Sequence, residues 1–193
     1  PATEEDLLDS DLQGLPYRSV VGRLMHQTVT VRPDLAFAVG ALARNFCGWS
    51  VEHVAQATHA LRYLAGTQDA GLVARRGHLD NMRLSVWSHS DWAEERATRR
   101  SCTGYVIFFG DFPIAWKSQL QRTVALSSHE AEYIALASTM QMVLQLRQVL
   151  AELGCKQPGA TEIKIDNSSV FQSVHSAGPS PATKYIATKH HRI

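Results

Sequence analysis

At Leu84 the spacing of apolar residues changes, and this change limits the possible folds more than any other feature of the chain. Before it, Tyr17 to Thr28, Pro33 to Asn45 and Val51 to Leu64 carry apolar side chains three or four residues apart, the spacing of a helix that buries one face. After the Gly77 to Asn81 stretch, Leu84 and Val86 alternate with Ser85, Trp87, His89 and Asp91, the two-residue period of a half-buried strand. A helical beginning is therefore followed by a sheet. Local signals mark the helix ends: Pro33 suits a first turn, Ser50 an N-cap, and Gly66 a left-handed residue after the third helix.

Thr103 to Phe109 and Phe112 to Lys117 read as two more strands, joined as a hairpin by Gly110-Asp111. A long helix is expected from Ser128 to about Leu153, because Val143, Leu146, Val149, Leu150 and Leu153 form one apolar stripe that Gly154 ends. Thr161 to Asp166 reads as a returning strand, and Asn167 or Ser168 caps a short helix reaching His175. A final segment runs from Thr183 to Ile193. Three helices followed by β-β-β-α-β-α-α predict an α/β domain, a mixed sheet flanked by helices, with a small helical subdomain in front.

Composition removes several classes. A chain of 193 residues, 45% apolar and 19% charged, can bury a core. No apolar run of roughly 18 residues or more is present, and the acidic stretch Pro1 to Asp11 is unlike an export signal, so no membrane partner is expected. The net charge of +1 makes any nucleic-acid surface a local patch. Cys47, Cys102 and Cys155 lack the close pairing of zinc ligands and read as reduced, buried residues of an intracellular protein.

Phosphodiester cleavage with two divalent ions needs several carboxylates at one point, because hard cations take oxygen ligands. Asp91 at the end of the first strand, Glu130 at the start of the long helix and Asp166 at the end of the returning strand can meet at one rim of a sheet. Each has a structural alternative: Glu130 can close a capping box on Ser127, Asp166 can open a turn, and Asp91 can be a solvated strand end. Glu132, two residues from Glu130, faces another side of the helix and is set aside.

Taken together, Trp87-Ser88-His89-Ser90-Asp91-Trp92-Ala93, Arg99-Arg100-Ser101-Cys102-Thr103-Gly104-Tyr105, Ala115-Trp116-Lys117-Ser118, Ala125-Leu126-Ser127-Ser128-His129-Glu130-Ala131-Glu132-Tyr133 and Ile165-Asp166-Asn167-Ser168 resemble the ribonuclease H domain of copia-type LTR retrotransposon polyproteins. Upstream, Tyr17-Arg18-Ser19-Val20-Val21-Gly22, Arg32-Pro33-Asp34-Leu35-Ala36 and Leu61-Arg62-Tyr63-Leu64-Ala65-Gly66-Thr67 resemble the stretch that links reverse transcriptase to ribonuclease H in those polyproteins. The likeness implies a helical thumb- or connection-like segment over residues 1–78 and a ribonuclease H-like domain over 79–193.

It further implies hydrolysis of the RNA strand of an RNA–DNA hybrid with two Mg²⁺ (or Mn²⁺) ions. Of the family's four acids, the second falls on Glu130 and the third on Asp166, but His89 stands in place of the first and Ala187 in place of the fourth. Losing two anions weakens metal binding and impairs catalysis. Asp91 shares a strand face with His89 and could enter by a register shift or bulge, and His190 and His191 follow Ala187 closely. The metal set expected is Asp91, Glu130 and Asp166, with His89 added to the catalytic set. Phosphate contacts fall to Arg96, Arg99, Arg100, Lys117, Arg122 and Lys184, with Trp92 and Trp116 as packing faces. The partners implied are the hybrid and the reverse transcriptase domain of the same polyprotein, in a cytoplasmic particle or the nucleus. Two alternatives stand beside this: a noncatalytic module binding nucleic acid or a protein, and a zinc site made of His89, Asp91, Glu130 and Asp166.

Overall fold

The computed structural model describes residues 16–75, 82–95 and 97–175. The expectations for Arg96, Lys184, Ala187, His190, His191, the segment Thr183 to Ile193 and a boundary between residues 78 and 79 lie outside the described residues. The chain divides into two compact units, Pro1–Leu72 and Val73–Ile193.

The first unit is helical: α1 spans Tyr17–Thr30, a 3-10 turn Pro33–Leu35 leads into α2 at Ala36–Ala43, and α3 spans Val51–Gly66. Pro33 opens the 3-10 turn rather than an α-helix. Gly66 is the last residue of α3, with Thr67 as its cap, and it is not among the glycines of positive φ. Val21, Leu24, Val39, Leu42, Ala57 and Ala60 are buried together, removing the apolar stripes of the three helices from water. Tyr17 stacks on Trp49 at 5.3 Å between ring centroids, and its hydroxyl donates to the Leu42 carbonyl at 2.9 Å. Arg32, 3% exposed, pairs with Asp34 at 2.8 Å and donates to Thr67 Oγ1 at 2.8 Å and the Thr67 carbonyl at 3.1 Å. One guanidinium thus ties the end of α1 to the end of α3.

The second unit is the mixed α/β fold expected from the sequence. β1 (Leu84–Asp91), β2 (Cys102–Phe109) and β3 (Phe112–Leu120) form an antiparallel meander, α4 (Ser128–Glu152) crosses over, and β4 (Glu162–Lys164) returns parallel to β1 before α5 (Ser168–His175). The sheet order is β3-β2-β1-β4. Gly110 at φ +61° makes the hairpin turn, and Gly154 at φ +81° ends α4 with the Cys155 N–H donating back to the Leu150 carbonyl at 2.7 Å.

α4 covers one sheet face, where Val86, Ile107, Tyr105 and Leu84 meet Val143 and Leu150, with Leu146 partly buried beside them. Val149 and Leu153 of the expected stripe are 49% and 72% exposed: Val149 lies off the line Val143–Leu146–Leu150, and Leu153 follows the end of the helix. Cys102 is buried as expected, whereas Cys47 is exposed. Among the described residues no helix is long and apolar enough to cross a membrane.

β4 is shorter than the expected Thr161 to Asp166, and this positions the site. Its residues pair only with Ser85, Val86 and Trp87 of β1, so the second half of β1 runs past it. Asp166 is left in the turn between β4 and α5, where its carboxylate meets His89 of β1.

Candidate metal centre

Alternation along β1 decides which side chains point where. Ser88 and Ser90 face inward, Ser88 Oγ meeting Thr139 Oγ1 of α4 at 2.9 Å, while Trp87 and His89 stand on the exposed side with Asp91 half-buried beside them. From α4, Glu132 reaches the end of the same strand: its Oε1 accepts the Ser90 N–H at 2.9 Å.

Around His89 three carboxylates converge. Nδ1 lies 3.0 Å from Glu132 Oε1 and 3.0 Å from Asp166 Oδ2, and Nε2 lies 3.5 Å from Asp91 Oδ1. One imidazole edge therefore bridges the helix acid and the turn acid, and the other faces the strand-end acid. Glu132 is 4% exposed and its second oxygen, Oε2, is buried without a hydrogen-bond partner. The Asp166 side chain is 67% exposed.

The charges of these groups are coupled. Burial opposes protonation of His89, but its hydrogen bond to Asp166 and the negative charges of Glu132, Asp166 and Asp91 outweigh it and hold the imidazole above its ordinary pKa. Burial raises the Glu132 carboxyl; the Ser90 N–H and His89 pull it down, and Asp166 and Asp91 push it up.

One ligand atom from each of His89, Glu132 and Asp166 lies within 4.8 Å of the others, close enough to share an ion. The unmatched Glu132 Oε2 offers a further oxygen. One imidazole with carboxylates suits a divalent transition ion, which tolerates nitrogen beside oxygen as Mn²⁺ does, better than Mg²⁺, which prefers oxygen alone. The residues fit a divalent metal, provided that the Nδ1 proton leaves.

His89, Asp91 and Asp166 are thus brought together as the sequence predicts, but Glu130 is not among them. It is wholly buried at the start of α4, where its N–H donates to Ser127 Oγ at 3.1 Å and its Oε2 accepts the Leu126 N–H at 2.7 Å. This is half of a capping box, its carboxylate displaced by one residue. Glu132 takes the place beside His89 instead. The signal was present in the sequence: Glu132 continues the inner stripe Ala135, Leu136, Thr139 and Val143 of α4 toward the sheet, whereas comparison with Glu130 alone discarded it. Nor does Asp91 enter through a bulge, because the β1–β2 ladder is continuous from Leu84 to Asp91.

The expected phosphate contacts fall into two places. Lys117 and Arg122 line a polar cavity of about 430 Å³ with Thr103, Gln119, Gln121 and Thr123. Arg99 and Arg100 sit in the β1–β2 connection, where Arg99 adopts φ +56°. Trp92 is 52% exposed and donates its indole N–H to the Ala125 carbonyl at 3.3 Å. Trp116 lies half-buried on β3.

No protein-family model matches the chain. It is 35% identical over 193 residues to the retrovirus-related Pol polyprotein from transposon TNT 1-94 of Nicotiana tabacum, covering 100% of this chain and 14% of that one. It is 39% identical over 135 residues to the secreted RxLR effector protein 161 of Plasmopara viticola, covering 70% of this chain and 94% of that protein. A solved structure of LC11-RNase H1, isolated from compost, overlays with a TM-score of 0.42 at 14% identity, covering 56% of this chain and 72% of the other. The chain spans only 12–14% of the length of the curated Pol polyproteins it matches.

Proposed function

Since the chain belongs to the family of retrovirus-related Pol polyproteins from transposons, we propose that residues 79–193 are its ribonuclease H-like domain, weakened in hydrolysis of RNA–DNA hybrids. Residues 1–78 are then the helical segment that follows reverse transcriptase, and that domain is a partner in the same polyprotein. The observation that carries the reading is the position of His89 Nδ1, 3.0 Å from both Glu132 Oε1 and Asp166 Oδ2.

His89, Glu132 and Asp166 would hold the divalent ion, with Asp91 beside the other edge of the imidazole. When bound, such an ion neutralises a scissile phosphate and lowers the pKa of water. Glu132 is held at the rim by the Ser90 N–H. Asp166 is exposed and open to a polymer that lies across the end of the sheet. His89, where the family pattern has an acid, removes one negative ligand and puts an imidazole among the remaining acids, which favour its protonated form. In that form it competes with a divalent ion, so Mg²⁺ binds poorly and Mn²⁺ better. The same imidazole favours a second reading, a noncatalytic hybrid-binding module, because it compensates the acids without any metal.

Cleavage of an end-labelled RNA–DNA hybrid in Mg²⁺ and in Mn²⁺ separates the two. Expected are weak cleavage by the wild type, strongest in Mn²⁺, a gain of at least about tenfold for His89→Asp and loss for Asp166→Asn. Retention of the hybrid with no cleavage by any variant would leave the noncatalytic reading; cleavage unchanged by Asp166→Asn would place the activity elsewhere.

A further inference from the structure

Asp166 sits in the turn that enters α5, so what fixes α5 also fixes Asp166. The turn is closed by Asn167, whose Oδ1 accepts the Ser169 N–H at 3.0 Å, the Val170 N–H at 3.2 Å and the Ser169 hydroxyl at 2.6 Å. That is a side-chain N-cap. Val170, fully buried, anchors the first turn of α5 in the core.

α5 is also bonded to α4 through one side chain. His129 Nδ1 meets Ser169 Oγ at 2.8 Å, and its Nε2 meets Ser173 Oγ at 3.4 Å, so one imidazole spans a full turn of α5. The donors can be assigned. Ser169 gives its only hydroxyl hydrogen to Asn167, so His129 must donate from Nδ1, leaving Nε2 to accept from Ser173. Burial holds the His129 imidazole below its ordinary pKa, consistent with this neutral tautomer.

His129 and Glu132 are three residues apart on α4 and share one face. A closed circuit results: Glu132 to His89, His89 to Asp166, Asp166 through Asn167 to Ser169, and Ser169 to His129 one turn below Glu132. We propose that His129 is a positioning residue, clamping the start of α5 so that Asp166 is presented to His89 and Glu132. Its importance to metal binding rests on the reading of the site above; its control of Asp166 does not.

The test reads the circuit at its far side. In the metal-free chain with ¹⁵N-labelled histidine, the His89 Nδ1 resonance reports the Asp166 contact, with Asp166→Asn as the reference for its loss. His129→Phe, which fills the space without the hydrogen bonds, is expected to move that resonance toward the Asp166→Asn position and to weaken Mn²⁺ binding, followed by electron paramagnetic resonance, by about tenfold. His129→Asn, whose amide can replace the Nδ1 donor, should restore most of both. Should His129→Phe fail to fold by circular dichroism, Ser169→Ala carries the same expectation. A His89 resonance unmoved by these variants, even with a lower unfolding temperature, would overturn the proposal. Absence of Mn²⁺ binding by the wild type would reject the metal reading, while the resonance alone still decides the clamp.

Discussion

Glu132 joins α4 to β1 by accepting the Ser90 backbone N–H at 2.9 Å through one oxygen, while its other oxygen lies buried and unmatched. A carboxylate held so firmly and satisfied only in part makes the folded chain sensitive to its protonation.

Burial raises the Glu132 carboxyl in the folded chain, with Asp166 and Asp91 adding to the effect. A raised carboxyl contributes stability that is full below the unfolded value of about 4.3 and is lost as pH rises through the folded value. In metal-free buffer, the difference in unfolding free energy between Glu132→Gln and wild type should therefore shift toward the variant as pH rises from 4 to neutrality. Urea titrations across that range check it; a constant difference, or one moving the other way, would contradict it.

His89 supplies positive charge to Glu132, Asp166 and Asp91. His89→Asp should lower the melting temperature in a chelator and gain more than wild type from added Mn²⁺. A ligand at a hundred times its dissociation constant stabilises by about 2.7 kcal/mol. Melting curves with and without Mn²⁺ decide this, and equal gains for both proteins would mean that the imidazole does not stand in for a cation.

Arg32 is buried against Asp34 and Thr67. Arg32→Ala should cost the helical unit about 3 kcal/mol, since removal of one partner strands the rest. Hydrogen bonding to Arg32 lowers the Asp34 carboxyl despite burial. Its contribution is present above the unfolded value near about 3.9 and is lost as pH falls through the folded value. Protection of the α1 and α3 amides, relative to their intrinsic exchange rates at each pH, should fall in acid, and Asp34→Asn should remove that dependence.

Lys117 and Arg122 line the same polar cavity. If both meet phosphates, Lys117→Ala and Arg122→Ala each weaken hybrid binding and each lower the slope of log affinity against log salt by about 1. Filter binding at several salt concentrations measures this. Arg99→Ala, at the separate β1–β2 connection, provides an independent comparison.

The order of elements was legible because Leu84 and Val86 alternate while Val143, Leu146 and Leu150 recur at helical spacing, and because Gly110 and Gly154 stand where left-handed residues are required. The full acid set was not. Glu130 and Glu132 are both buried, and which one meets the strand depends on how α4 is rotated on the sheet, a property of packing rather than of local spacing. The extent of β4 was hidden for a similar reason: Ile163 and Ile165 alternate well enough for a longer strand, but β1 offers it only Ser85, Val86 and Trp87. At Cys47, average burial of cysteine gave the wrong expectation because the residue lies in the exposed connection after α2.

The short β4 has a consequence for synthesis. His89 leaves the ribosome early, Glu132 later and Asp166 last, and β4, which leads into the Asp166 turn, pairs with the first half of β1. A nascent chain halted before that turn lacks one acid of the cluster. Proteolytic nicking anywhere between His89 and Asp166 would likewise divide the residues of the centre between fragments. Completion of the site therefore requires a chain that has emerged through Asp166 and is unbroken from His89 to that residue.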